Sequence, residues 1–181
     1  MHMSEDPASS RSAGVINRPL AMADLEAVSA LHARVFGPGR FARTAYRVRE
    51  GTAPISPFCS GAFFDGRLIA SLRLTPVKIG GTGPHLLLGP LAVDPAYSGQ
   101  GYGRALVSAS VEAAKAANIG IIVLVGDTAY YERFGFAAVP PGQITFPGPV
   151  NPARILAREI APGALASARG EVVAIHSSQP R

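Results

Sequence analysis

Between Leu86 and Arg104 the chain passes from the apolar run Leu86-Leu87-Leu88-Gly89-Pro90-Leu91-Ala92-Val93-Asp94-Pro95 into Ser98-Gly99-Gln100-Gly101-Tyr102-Gly103-Arg104. The first part has the composition of a strand covered on both faces, and the second that of a glycine loop opening a helix. Such a loop leaves several backbone N–H groups unpaired and aimed the same way, and with the helix dipole they bind phosphate or pyrophosphate. Gly101 and Gly103 carry no side chain where a ligand would meet the backbone. A phosphorylated ligand is the first expectation.

The elements that must hold this loop follow from periodicity. Val15–Arg18 reads as a first strand, and Leu25, Val28, Leu31 and Val35 mark a helix over 22–36 that Gly37-Pro38-Gly39 stops. A more basic helix is expected over 41–50. Strands over 58–64 and 68–79 flank Asp65-Gly66, a two-residue hairpin turn. His85–Val93 is the next strand. Gly89-Pro90 interrupts it, and because proline donates nothing to a ladder, a bulge or a splay from a neighbour is expected there. Leu106, Val107, Ser110, Val111 and Ala114 form one face of a helix over 103–117, and Ile121–Val125 is a central strand parallel to the one before it. A short helix over 128–134, a strand over 136–139, a loop over 140–152 and strands over 153–160 and 171–175 complete the pattern. The expected fold is α/β, of the α+β type, with a central mixed sheet of six to seven strands flanked by helices and a β-loop-α-β unit at its centre.

With 181 residues and 48% apolar content, the chain has enough material for one core, so residues 14–181 are expected as a single domain and residues 1–13 as a disordered tail. The net charge of +5 comes from scattered arginines, with Lys78 and Lys115 the only lysines. This suits an anionic ligand or an acidic protein partner; nucleic acid is not expected, because no basic-aromatic motif accompanies the charge. A lone Cys59 excludes an intrachain disulfide, and the four histidines lack ligand spacing, so no metal is expected and a cytoplasmic setting is. No apolar stretch approaches the roughly 18 residues of a membrane span, and Met1–Gly14 lacks the pattern of a secretory signal.

Thirty residues after the glycine loop comes Tyr130-Tyr131-Glu132-Arg133-Phe134-Gly135-Phe136. Together, loop and segment resemble the GNAT superfamily of N-acetyltransferases, whose pyrophosphate loop reads Arg or Gln, two residues, Gly, one residue, then Gly or Ala. Gly101 and Gly103 fill the two small positions, and Tyr131 fills the tyrosine of the family's Tyr-Glu-x-x-Gly-Phe element. Ser98 departs from the pattern, standing where the family usually has Arg or Gln. Gly89-Pro90-Leu91-Ala92-Val93-Asp94-Pro95, Val125-Gly126-Asp127 and Ile160-Ala161-Pro162-Gly163-Ala164-Leu165 further resemble a bacterial subgroup described only as predicted acetyltransferases.

The resemblance implies acetyl-CoA as acyl donor, bound by the loop Ser98, Gly99, Gln100, Gly101, Tyr102, Gly103 and Arg104 with its pyrophosphate on the N–H groups of Gly99 to Arg104, and its pantetheine arm along Leu91, Ala92 and Val93. It implies direct attack by a primary amine on the thioester, with Tyr131 as general acid for the departing thiolate; the Leu91 backbone N–H, just past the expected bulge, is read as oxyanion donor from its position alone. Tyr130 is assigned to the core, as are Phe134 and Phe136. Asp127, Glu50 and His85 are the side chains available as a base, each also readable as a cap, a surface charge or a satisfied polar group, and water can serve instead. The acceptor is unspecified, its walls expected from the first two helices and the segments 51–57 and 140–152. A non-catalytic acyl-CoA sensor, or an acyltransferase fed by acyl carrier protein, are the other readings; a monomer or a homodimer is expected.

Overall fold

The computed structural model describes residues 14–38 and 44–176, so the tail expected over residues 1–13 lies outside the described residues. Strand β1 (Val15–Pro19) leads through a 3-10 turn into helix α1 (Leu25–Phe36), which Gly37 ends at φ 68°. Val28, Leu31 and His32 are its buried side chains, the stripe that a sheet-facing helix requires. Helix α2 (Thr44–Arg49) occupies the described part of the basic segment. Strands β2 (Ser60–Phe64) and β3 (Arg67–Ile79) form the hairpin about Asp65-Gly66, whose φ values of 50° and 75° are the left-handed pair a two-residue turn needs.

Strand β4 (Thr82–Val93) lies antiparallel to β3; helix α3 (Tyr102–Ala116) follows the glycine loop; β5 (Ile121–Val125) then pairs with β4 in parallel. The β-loop-α-β unit is present as expected. Beyond it come α4 (Thr128–Tyr131), β6 (Ala137–Ala138), β7 (Ile144–Thr145), β8 (Ile155–Glu159), α5 (Ala164–Ser167) and β9 (Gly170–Ala174). Seven strands run in the order β1-β2-β3-β4-β5-β8-β6, while β9 pairs with the part of β3 that β2 leaves free and β7 pairs with β9. Strand β7 sits inside the stretch expected to be a loop. Ile144, 2% exposed, anchors it in the apolar layer, a contact that no two-residue periodicity could announce.

Helix α3 packs Leu106, Val107, Val111 and Ala114 on one face of the sheet, against Leu72, Leu74, Leu86, Leu88 and Leu124. The other face carries α1 over Phe63, Leu68 and Ala92, and a second cluster around Val77, Leu87, Val123 and Ile155. Coverage on both sides explains the uninterrupted apolar runs of β4 and β5.

One irregularity sets up the site. Leu88 stands opposite Leu74, and Leu91 opposite Leu72, so β4 takes one more residue than β3 across Gly89-Pro90. This is the bulge that the dipeptide predicted, with Gly89 at φ 119°. The splay is there too: β4 and β5 pair only at Leu86–Ile122 and Leu87–Val123, although β5 stays paired with β8 as far as Val125. Past Leu87, β4 has no partner on its β5 side among the described residues.

Candidate active site

Helix α3 begins at Gly101, which has a left-handed φ of 87° and supplies no side-chain cap. The N–H groups of its first turn therefore remain available to a ligand. In front of them lies a cleft of about 460 Å³ whose walls are Val93, Tyr97 and the whole run Ser98–Arg104, closed on one side by Tyr130. The loop is fixed from below. Asp94, 6% exposed, accepts from the Ala96 N–H at 3.0 Å, and its Oδ2 lies 3.3 Å from Arg34 on α1 and 3.6 Å from Arg67 at the start of β3. Tyr97 rests edge-on against Tyr102, and Gln100 accepts a 3.4 Å hydrogen bond from the Tyr102 hydroxyl.

Gly103 is needed for space. A β-carbon there would lie 3.2 Å from Val93 Cγ2, 3.3 Å from the Tyr130 hydroxyl and 3.5 Å from Leu91 Cδ2. Leu91 and Val93 thus pass directly beneath the first turn of α3, while Ala92 points to the opposite face, into the α1 cluster. Strand edge, glycine loop and helix start meet at one place.

The two adjacent tyrosines divide differently from expectation. Tyr130, assigned to the core from sequence, is half-buried and lines the cleft, with its hydroxyl over Gly103 and Arg133 stacked 5.3 Å from its ring. Burial pushes its phenol up, against the opposing pull of Arg104 and Arg133. Tyr131 is the one held in apolar surroundings, edge-on to Tyr130 at 4.9 Å and to Phe136 at 5.8 Å, with its ring against the Gly126 end of β5. Burial, and secondarily the neighbouring Tyr130, pushes the Tyr131 phenol up to about 12. It stays protonated at any physiological pH.

Two of the three side chains considered as bases have other engagements, and the third is exposed. His85 accepts the Ile121 N–H on Nδ1 at 3.1 Å and pairs through Nε2 with Thr82 at 3.1 Å, and burial holds its pKa down. Asp127 caps α4 by accepting the Ala129 N–H at 3.0 Å, and Glu50 is exposed at the end of α2. A second cavity, of about 530 Å³, opens where β4 and β5 part, bounded by the Gly89-Pro90 bulge, Val125 and α2. Of the segments expected to wall an acceptor, α2 and 149–151 line it; α1 and 51–57 do not.

Residues 25–136 match the sequence model of the Acetyltransferase (GNAT) family, which is more than half of the chain. The chain belongs to that family. Among curated relatives, the uncharacterized N-acetyltransferase YhbS of Escherichia coli K12 is 36% identical over 73 residues, 40% of this chain and 44% of that protein, so the match spans less than half of the relative. The crystal structure of Escherichia coli YhbS in complex with CoA superposes with a TM-score of 0.74 over 89% of each chain at 27% identity. A Brucella melitensis GNAT acetyltransferase in complex with acetyl-CoA has the same fold, with a TM-score of 0.66 over 90% of this chain and 96% of its own at 24% identity. As a GNAT protein the chain has the mixed sheet flanked by helices that its motifs implied. Ser98 lines the cleft as a short, exposed side chain where the family usually places a longer polar one, leaving the approach to the backbone N–H groups open. Two aromatic walls, Tyr97 and Tyr130, were missed as cleft residues. Among the described residues, no helix is long and apolar enough to cross a membrane.

Proposed function

We propose that residues 14–181 act as one acyltransferase domain that moves an acetyl or other short acyl group from CoA to a primary amine. The observation that carries this reading is the uncapped start of α3 facing a cleft beside a strand edge that β5 has left unpaired. The N–H groups of Gly99 to Arg104 hold the pyrophosphate, with the positive end of the α3 dipole behind them. The unpaired edge of Leu91–Val93 offers hydrogen-bonding groups to the two amides of the pantetheine arm. CoA-bound relatives of this fold support that assignment.

In this reading the thioester lies at the bulge, where the Leu91 N–H donates to the carbonyl oxygen as charge develops on it. The amine attacks, the C–S bond breaks, and the Tyr131 hydroxyl donates to the leaving sulfur. No side chain is assigned as base; water takes the amine proton. An acyl-CoA donor and a free, buried Cys59 favour a cytoplasmic setting.

Calorimetric titration of the full chain with CoA and acetyl-CoA, paired with thiol release over an amine panel, tests the proposal. Binding of both with release dependent on an amine is expected. Tight binding without turnover on any amine would mark a sensor, and absence of binding would overturn the site itself.

A further inference from the structure

The second cavity is lined by a buried cation with no acidic partner among the described residues. Arg49 on α2 is 6% exposed, and among the described residues its guanidinium makes one hydrogen bond, from Nε to Thr75 Oγ1 at 3.2 Å. Among the described residues neither Nη1 nor Nη2 has a partner, and neither does the buried Nε of neighbouring Arg73. Arg49 Cζ lies over the Tyr46 ring at 5.8 Å, a contact that gives the Nη donors no hydrogen-bond acceptor. Arg47 and Arg154 are two further arginines of the cavity wall, and among the described residues no Asp or Glu lines it. Burying an unpaired guanidinium costs several kcal/mol in general, and a buried donor without an acceptor calls for a reason.

Position supplies the reason. Arg49 Nη2 lies 4.0 Å from where a β-carbon on Gly89 would stand, so the fork faces the bulge at which the acyl group is held in the function proposed above. Asp94 is engaged with Arg34 and Arg67 and Asp127 with its own helix, and Glu50, which follows Arg49, is exposed. A guanidinium fork recognises planar or tetrahedral oxyanions through paired hydrogen bonds. We infer that the acceptor is a small amine bearing a carboxylate or phosphate a few bonds from its nitrogen, the oxyanion pairing with the Nη donors of Arg49 while the amine reaches the bulge. This inference rests on the acyl-transfer reading for the amine, but not for the anion. Burial, followed by the Arg73 charge, lowers the Arg49 pKa to about 9, as expected for a cation kept apart from its counter-ion.

The test compares charged amines with neutral counterparts: glycine with glycinamide, β-alanine with β-alaninamide, phosphoethanolamine with ethanolamine. Thiol release from acetyl-CoA gives kcat/KM, and titration into the CoA-saturated protein gives affinity. At least one charged member is expected to exceed its neutral partner by about tenfold or more in affinity, as a charge-assisted pair implies. Arg49→Met is expected to bring that ratio close to one while CoA still binds. Arg49→Lys, which keeps the charge and loses the fork, should retain a reduced preference, and it serves if the methionine variant does not fold. Equal affinity for charged and neutral members in the parent protein would overturn the inference, as would a preference that survives both substitutions. An Arg49-dependent binding preference without any thiol release would leave the anion subsite standing and remove the acyl-transfer reading instead.

Discussion

Replacing Tyr131 with phenylalanine removes one oxygen and leaves the ring contacts with Tyr130, Phe134, Phe136 and the Gly126 backbone in place. A stability change is therefore expected to be small, and the effect should fall on turnover. Its size follows from proton affinities. The phenol stands at about 12, whereas a free thiol has a pKa of roughly 8.5, so complete transfer would be uphill by about 3.5 units, or ~5 kcal/mol. The hydroxyl therefore helps chiefly as a hydrogen-bond donor to sulfur as negative charge builds, and the expected loss lies at the lower end of general-acid effects, about tenfold to hundredfold in kcat. CoA affinity should be unchanged, because the cleft at the start of α3, where the pyrophosphate is proposed to bind, does not include Tyr131. A phenol at about 12 is protonated throughout pH 6–10, so the ratio of parent to variant rates should be flat over that range. The assay is steady-state thiol release with calorimetric CoA binding alongside. Turnover of the variant within about threefold of the parent would remove Tyr131 from the acid role. A ratio that changes steeply between pH 7 and 9 would show that some other group titrates in the step.

Gly103→Val drives a branched side chain into Val93, Leu91 and the Tyr130 hydroxyl, and overpacking of about 1–3 kcal/mol at that junction is expected to weaken CoA binding by roughly tenfold or more in calorimetry. CoA affinity equal to the parent's would show that the cradle is elsewhere. His85→Leu strands the buried Ile121 N–H and is expected to cost about 1–3 kcal/mol in urea unfolding. In the parent protein burial depresses the imidazole pKa, so the unfolded chain takes up the proton first. The His85 contribution is then full above pH ~6.5, declines as pH falls through the lowered folded value, and levels off below it. Unfolding curves whose pH dependence is identical in parent and variant would contradict that assignment.

The central unit was legible because its signals are local and agree with one another. Gly89-Pro90 inside an apolar run can hardly be regular strand, and Gly101-Tyr102-Gly103 ahead of a periodic Leu106-Val107-Ser110-Val111 face reads as a helix start. The allocation of Tyr130 and Tyr131 was not legible in the same way. Neighbours on a helix diverge by about 100°, and which ring is enclosed depends on Phe134, Phe136 and the end of β5, residues brought together only by the fold. Arg49 is a similar case. Nothing in Thr44-Ala45-Tyr46-Arg47-Val48-Arg49 distinguishes the arginine that turns inward from the one that stays exposed, since the difference is made by Thr75 on a strand 26 residues away.

The bulge in β4 has a consequence for how scaffold and site can be separated. Gly89 and Pro90 together occupy a single rung opposite Arg73, so the strand beyond them is already in step with β3. A chain lacking one of the two would still set Leu91, Ala92 and Val93 against Leu72, Ser71 and Ala70, each on its present face. With the register beyond the bulge kept, such a deletion is expected to extend the parallel pairing of β4 with β5 past Leu87–Val123. The extra residue serves the gap between β4 and β5 rather than the register of the sheet, so the shape of the opening and the order of the strands are set by different residues.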